Sequence, residues 1–359
     1  MTSMPTDPRS TPRSRRAAGS RGRTAASIAD VAAAVGVSAQ TVSRVSTGAT
    51  NVQPHTRARV LAAMDELGYA PNAAARALKS GSFATIGVIA HQLARTGESH
   101  TVEAVVHAAN EAGYTVTLID LQSPSSQDVS AAVTRLSHQA IDGLVVIGAE
   151  TTAPATISLP PNLPVVVSDA RFVGHHPAVG GDDADGTQHA VRHLLDLGHQ
   201  TVHHLAGPPS SVPARQRLDA WRSALRAAGR QVPVPSQGDW TPESGYLAGR
   251  QIAHDPSITS VFCANDEMAA GLCRALHEAG RSVPGDVSIV GFDDIPLAEY
   301  FTPSMTTVAQ DFPAIAHRLV DLLLEQIREG NALKDVHILV PTRLVVRVST
   351  GPPRSTAAF

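Results

Sequence analysis

Ala39, Gln40, Ser43 and Arg44 stand at i, i+1, i+4 and i+5 within SAQTVSRV, so a helix through them carries all four on one face. That face has the chemistry to read base edges. Gln pairs bidentately with adenine, Arg with guanine, and a small methyl group touches that of thymine. A second set of polar residues follows apolar runs much further along: Asp169, Asn265, Asp266, Asp293 and Asp294. Carboxylates and amides in such places gather outside the carboxyl edges of open α/β sheets, where ligands bind.

The elements that must position these residues are legible around them. Ser27 and Asp30 form a capping-box variant, Val31 and Val35 point inward, and Gly36 allows a tight turn that Val37 fills. Ser38 then caps a second helix with Val42 and Val45 on its buried stripe. A third helix, ending at Gly68, is expected to close a small core with Leu61, Met64 and Leu67. Pro71 breaks the chain, and residues 72–79 make a helix too short to hold in water, where about 12 residues are needed. An ordinary amphipathic three-helix bundle with a solvated face shares the first part of this pattern. From Thr85 onward, runs such as TIGVIA, DGLVVIG, LPVVVSD and SITSVFCAND alternate with amphipathic helices, which predicts parallel sheets covered on both faces. Two doubly wound lobes are expected.

Charge is unevenly shared. Residues 1–79 carry eleven Arg or Lys against four acids, a net of +7, which leaves −10 for the remainder of a chain at −3 overall. A basic head on an acidic body is the electrostatic footprint of nucleic-acid binding. The first 26 residues, rich in Arg, Ser, Pro and Gly, read as a basic disordered arm that adds phosphate contacts or simply stays solvated. No apolar run of signal-peptide or membrane-spanning length occurs, so a cytoplasmic location with no membrane partner is expected. Cys263 and Cys273 lack metal-ligand spacing, as do the sixteen histidines, and read as buried free thiols; no metal or other cofactor is expected. Paired acids in a cleft suit glycoside hydrolysis. Yet no nucleophile elbow, phosphate loop or metal cluster is present, so no catalytic residue is assigned and an enzyme is not expected.

In this order along one chain, SIADVAAAVGVSAQTVSRV, PNAAARALK, LAGPPSSVPARQRLDAW, GDW, ANDEMAAG, VGFDD and TTVAQDF resemble the LacI/GalR family of transcription repressors over residues 27–350, its β-galactoside repressors especially in the effector core. The resemblance implies an all-α helix-turn-helix headpiece joined to an α/β core like that of periplasmic sugar-binding proteins. It implies a sequence-specific regulator released from a palindromic operator by a sugar, galactoside-like in preference to other mono- or disaccharides. A sugar-binding protein without DNA function is the alternative. By the same resemblance Leu78, followed by Lys79, matches the leucine that a hinge helix inserts into the operator's minor groove; a core leucine is the other reading. Ser27, Ser38 and Asn51 join Ala39, Gln40, Ser43 and Arg44 as candidate DNA contacts. His91, Asp169, Arg217, Trp240, Asn265, Asp293 and Gln310 are the candidate effector contacts, with packing roles open for Arg217 and Trp240 and turn chemistry for Asp293 and Asp294. The implied divisions are an arm at 1–26, a headpiece at 27–71, a hinge and linker at 72–83, one lobe at 84–181 and 310–340, the other at 182–309 and 341–350, and a tail at 351–359. That tail is too short and proline-broken for a leucine-heptad helix, so a homodimer is expected. The chain departs from the family at Pro213, at His91 and Gln92, at Ser46 and Thr47, and at the small Ala39, which leaves its sugar and base preferences open.

Overall fold

The computed structural model describes residues 26–69, 81–121, 126–137, 140–148, 162–168, 176–330 and 336–354. The chain forms two compact units that divide between Ser80 and Gly81. In the first, helices α1 (Ile28–Val35), α2 (Ala39–Ser46) and α3 (Pro54–Leu67) close over Val31, Val35, Val42, Val45, Val60 and Met64. The capping box forms as expected: the Asp30 amide donates to the Ser27 hydroxyl at 3.3 Å and the Ser27 amide to the Asp30 carboxylate at 2.8 Å. Gly36 ends α1 with φ at 69°, a left-handed conformation that favours glycine. The third helix departs from expectation, because Leu61 and Leu67 are 49% and 38% exposed and only Met64 of the three is buried. Its stripe runs instead through Val60, Ala63 and Met64. Leu61 is one step, about 100°, round the helix from Val60, and Leu67 lies in the last turn.

The second unit holds two six-stranded sheets. The first joins β1 (Thr85–His91), β2 (Thr115–Leu121), β3 (Gly143–Ile147), β4 (Val165–Ser168), β5 (Ala178–Gly181) and β11 (His337–Val340) in the order β11-β5-β4-β3-β1-β2, parallel throughout. The other joins β6 (His203–Ala206), β7 (Ser236–Gln237), β8 (Ser260–Cys263), β9 (Ser288–Asp293), β10 (Thr306–Ala309) and β12 (Arg343–Val345) in the order β12-β10-β9-β8-β6-β7, with β12 alone antiparallel. Side chains alternate across a strand, so the unbroken apolar runs feed two cores each. Strand β1 sends Ile86, Val88 and Ala90 under helices α4 (Thr96–Glu111) and α10 (Phe312–Glu329), and Ile89 under α5 (Ser126–Ser137). Strand β9 likewise sends Ile289 under α8 (Pro242–Ala253) and α9 (Asp266–Glu278), and Val290 and Phe292 under α6 (Asp183–Asp196) and α7 (Val212–Ala227).

Among the described residues the chain passes from the first sheet to the second after Gly181, returns after Ala309, and passes over again after Val340. The carboxyl ends of both sheets therefore face one cleft. Cys263 is buried and Cys273 only partly so; neither forms a disulfide. Among the described residues no helix is long and apolar enough to cross a membrane.

Candidate functional site

In the headpiece, α2 buries Val42 and Val45 and turns Ala39, Gln40 and Arg44 to solvent, with Ser43 half-buried. Arg44 is exposed near the end of α2. Two other cations of the basic head are committed to the fold. Arg57 donates to the Ala49 carbonyl, and Arg59 to the Val35 carbonyl at 2.6 Å, where α1 leaves its last acceptors open. Ser46 and Thr47 both donate back to the Ser43 carbonyl at 2.9 Å and finish α2. Ser27 and Ser38 serve as helix caps, and Asn51 is exposed in the loop before α3. Leu78 and Lys79 lie outside the described residues, as do Asp169 and residues 1–25 of the basic arm.

In the second unit the cleft between the sheets encloses about 930 Å³. Arg217 reaches it from α7, only 4% exposed. Its Nε donates to Asp183 at 3.1 Å, its Nη1 sits 3.4 Å from Asp293 and donates to the Ala264 carbonyl at 2.5 Å, and its guanidinium lies 3.6 Å above the Phe292 ring. Burial works against that charge, but Asp183 and Asp293 more than offset it and hold the proton more tightly than usual. Burial also raises the Asp183 carboxyl above its ordinary value, against the pull of Arg217. Gln310 donates to Asp293 at 2.8 Å and so fixes the carboxylate from the other side.

Trp240 closes the same wall, 5.6 Å from the Arg217 guanidinium, with a backbone φ of 79°. Its ring lies on Gly207, where a Cβ would come within 2.6 Å of it. Asn265 caps α9 by accepting from the Met268 amide at 3.0 Å, and donates to the Trp240 carbonyl at 2.9 Å and to Glu267 at 2.7 Å. Arg217, Trp240, Asn265, Asp293 and Gln310 are thus brought together. His91 is not among them: it is buried at the end of β1, and the next residue, Gln92, turned by a φ of 55°, lines the cleft in its place. Asp266 and Asp294 also stand outside it. Asp266 is buried, accepting from the Ile295 amide and the Thr307 hydroxyl at 2.9 and 2.6 Å, and Asp294 pairs with Arg347 at 2.7 Å.

Three acids on the wall escaped the sequence reading. Asp183 opens α6 two residues beyond the end of β5, and the strand-end rule that found Asp293 applies to it equally. Glu267 follows Asn265 and Asp266 in the same AND-E run, and Asp239 precedes Trp240. Glu267 accepts from Thr96 across the cleft, and burial raises its carboxyl above the usual value. Asp239 is held below the usual carboxylate range, first by the Thr241 hydroxyl and also by the charge of Arg95. A guanidinium fixed between carboxylates beside a half-buried indole that lines the cleft suits a neutral polyol: the acids accept from hydroxyls, the cation donates, and the ring covers apolar C–H groups.

Residues 27–72 match the family model of the bacterial regulatory proteins of the lacI family, and residues 191–350 match the periplasmic binding protein-like domain. The chain is 36% identical over 332 residues to the lactose operon repressor of Escherichia coli K12, covering 92% of each protein. It is 33% identical over 310 residues to the ribose operon repressor of the same organism, covering 85% of this chain and 94% of that one. A crystal structure of the lac repressor dimer bound to operator and the anti-inducer ONPF superposes with a TM-score of 0.79 at 35% identity, over 91% of this chain and 100% of that one. The chain belongs to the LacI family of bacterial regulatory proteins: it is a DNA-binding transcriptional repressor with a small-molecule effector site, and not an enzyme.

Proposed function

We propose that this repressor acts as a homodimer whose paired headpieces read a near-palindromic operator, and that a small sugar in the cleft releases it. The observation that carries the sugar reading is Arg217, buried and held between Asp183 and Asp293 beside Trp240. The arrangement supplies donors and acceptors for ring hydroxyls beside an aromatic ring. A galactoside is favoured because the lac repressor is among the relatives, and the ribose repressor keeps smaller sugars in the panel. The dimer rests on the relative solved as a dimer on operator, and two-fold symmetry in the protein asks for it in the site.

On this reading Gln40 and Arg44 contact bases, with Ala39 and Ser43 beside them, while Ser27, Ser38 and Asn51 approach the backbone. Leu78 is the wedge of a hinge over residues 72–83 that orders on DNA and melts when the effector rearranges the lobes, proposed as 84–181 with 310–340 and 182–309 with 341–350. Coupling of this kind is typically about 1 to 3 kcal/mol, roughly 5-fold to 150-fold in operator affinity, and it is reciprocal. The test is fluorescence anisotropy of the full-length protein on its own upstream DNA, titrated with galactosides, glucosides, xylosides and ribose. Tight binding relieved by one sugar is expected; sugar binding with no DNA binding would overturn the switch.

A further inference from the structure

The Arg217 cluster occupies one wall of the cleft, and the opposite wall is furnished differently. There the turn after β1 and the first turns of α4 contribute Gln92, Arg95, Glu98 and Thr101, and the end of β2 adds Asp120. Arg95 and Glu98 pair at 3.5 Å with side chains only 23% and 15% exposed, so their charges stand largely inside the cleft mouth. The charge of Arg95 also reaches Asp239, next to Trp240 on the facing wall. Asp183, Asp293, Gln310 and the Arg217 guanidinium gather the first wall's donors and acceptors into one cluster. The cleft, at about 930 Å³, stands near the top of the range for small-molecule sites, well beyond a single ring.

We infer that the wall carrying Gln92, Arg95, Glu98 and Asp120 is a second subsite that selects a polar second ring, so that the effector is a disaccharide and glycosides with an apolar aglycone are disfavoured. This rests on the sugar reading above. An apolar group placed against Arg95 and Glu98 would strip water from both charges and return no hydrogen bond, whereas the hydroxyls of a second sugar replace the lost water.

The experiment is calorimetric titration of the full-length repressor with matched probes sharing one terminal sugar: lactose against nitrophenyl β-galactoside, cellobiose against nitrophenyl β-glucoside, and xylobiose against nitrophenyl β-xyloside. In the series that binds, the disaccharide is expected to bind about tenfold or more tightly than its nitrophenyl partner. Arg95→Ala and, independently, Glu98→Gln should pull that ratio towards one, with folding checked by retained operator binding. A nitrophenyl glycoside binding as tightly as its disaccharide would overturn the inference and leave the sugar reading intact, as would a ratio unmoved in both variants. Binding of none of the six probes, with ribose binding alone, would overturn it in favour of a monosaccharide site; no sugar binding at all would overturn both.

Discussion

Arg217 is the side chain on which the cleft's charge balance turns. Removing it leaves Asp183 and Asp293 buried without their counter-ion, and breaking such a pair costs about 3 to 5 kcal/mol. Arg217→Met should therefore lower unfolding stability in urea by that order as well as abolish sugar binding, and Arg217→Lys should restore the charge without the fork that serves both acids. In the headpiece two arginines with the same charge should behave differently. Arg44→Ala is expected to cost about 1 to 3 kcal/mol on the native operator and to relax one base position. Arg59→Ala removes a bond to the Val35 carbonyl, so it should lower the melting temperature of the headpiece and weaken binding to all sequences alike. Competition between single-base operator variants separates the two. His204 supplies a pH signature. It is buried, stacks on Phe262 at 4.9 Å, and donates through Nδ1 to the Phe262 carbonyl at 2.9 Å; burial holds it down to about 4. The folded ring stays neutral while the unfolded one takes a proton near 6.5, so its share of stability is complete above that pH and is lost as pH falls towards 4, about 3 kcal/mol in all. His193, His199 and His203 are lowered by burial in the same direction. Urea unfolding at pH 7 and pH 5 should show a drop that is roughly 2 kcal/mol smaller in His204→Leu; equal drops would refute the assignment. The family resemblance pointed to Arg217, Trp240, Asn265, Asp293 and Gln310, which line the cleft, but not to Asp183 as the arginine's principal partner, since a pairing across 34 residues leaves no local trace.

At the level of elements, the crossing of α8 and α9 sets the distance between the indole wall and the amide that supports it. Trp240 precedes α8 by two residues and Asn265 caps α9, and their bond requires the two helix starts to stay close. The helices touch backbone to backbone: a Cβ on Gly271 would lie 2.0 Å from the Pro242 carbonyl oxygen, and one on Gly245 would lie 2.2 Å from that of Met268. Gly271→Ala should therefore force the pair apart, costing about 1 to 3 kcal/mol or more, and weaken sugar binding although residue 271 touches no ligand. Thermal unfolding and calorimetric titration of the same sample would show both effects, and a loss of stability with unchanged sugar affinity would uncouple the crossing from the site. Strands were readable because their apolar runs feed cores on both faces. The α3 stripe was misread because its three largest apolar residues, Leu61, Met64 and Leu67, also recur at helical spacing, and only packing against α1 and α2 chooses Val60 and Ala63 over Leu61.

Over the whole molecule, the division of charge puts a net +7 before residue 80 and −10 after it. Operator affinity should fall with salt, with a log–log slope of about −0.9 for each phosphate neutralised. Arg57 and Arg59, bonded to carbonyls, leave fewer free cations to contribute than the composition alone implies. Anisotropy between 50 and 200 mM salt measures that slope, and a value near zero would remove the phosphate clamp. Two parallel-sheet lobes were legible from the alternation of apolar strands and amphipathic helices; which strand completes which sheet was not, because β11 and β12 are separated by two residues yet join different sheets. The three passages between lobes have a consequence for biosynthesis. The first sheet's last strand, His337–Val340, and the helix Phe312–Glu329 that covers it follow β5 by more than a hundred residues, yet their Ile315, Leu319, Leu323 and Val340 fill one core with Ile86, Val88, Val145 and Val179. When residue 181 leaves the ribosome, that core still lacks its covering helix and its last strand, and the nascent chain must shelter an apolar sheet face until more than a hundred further residues have been added.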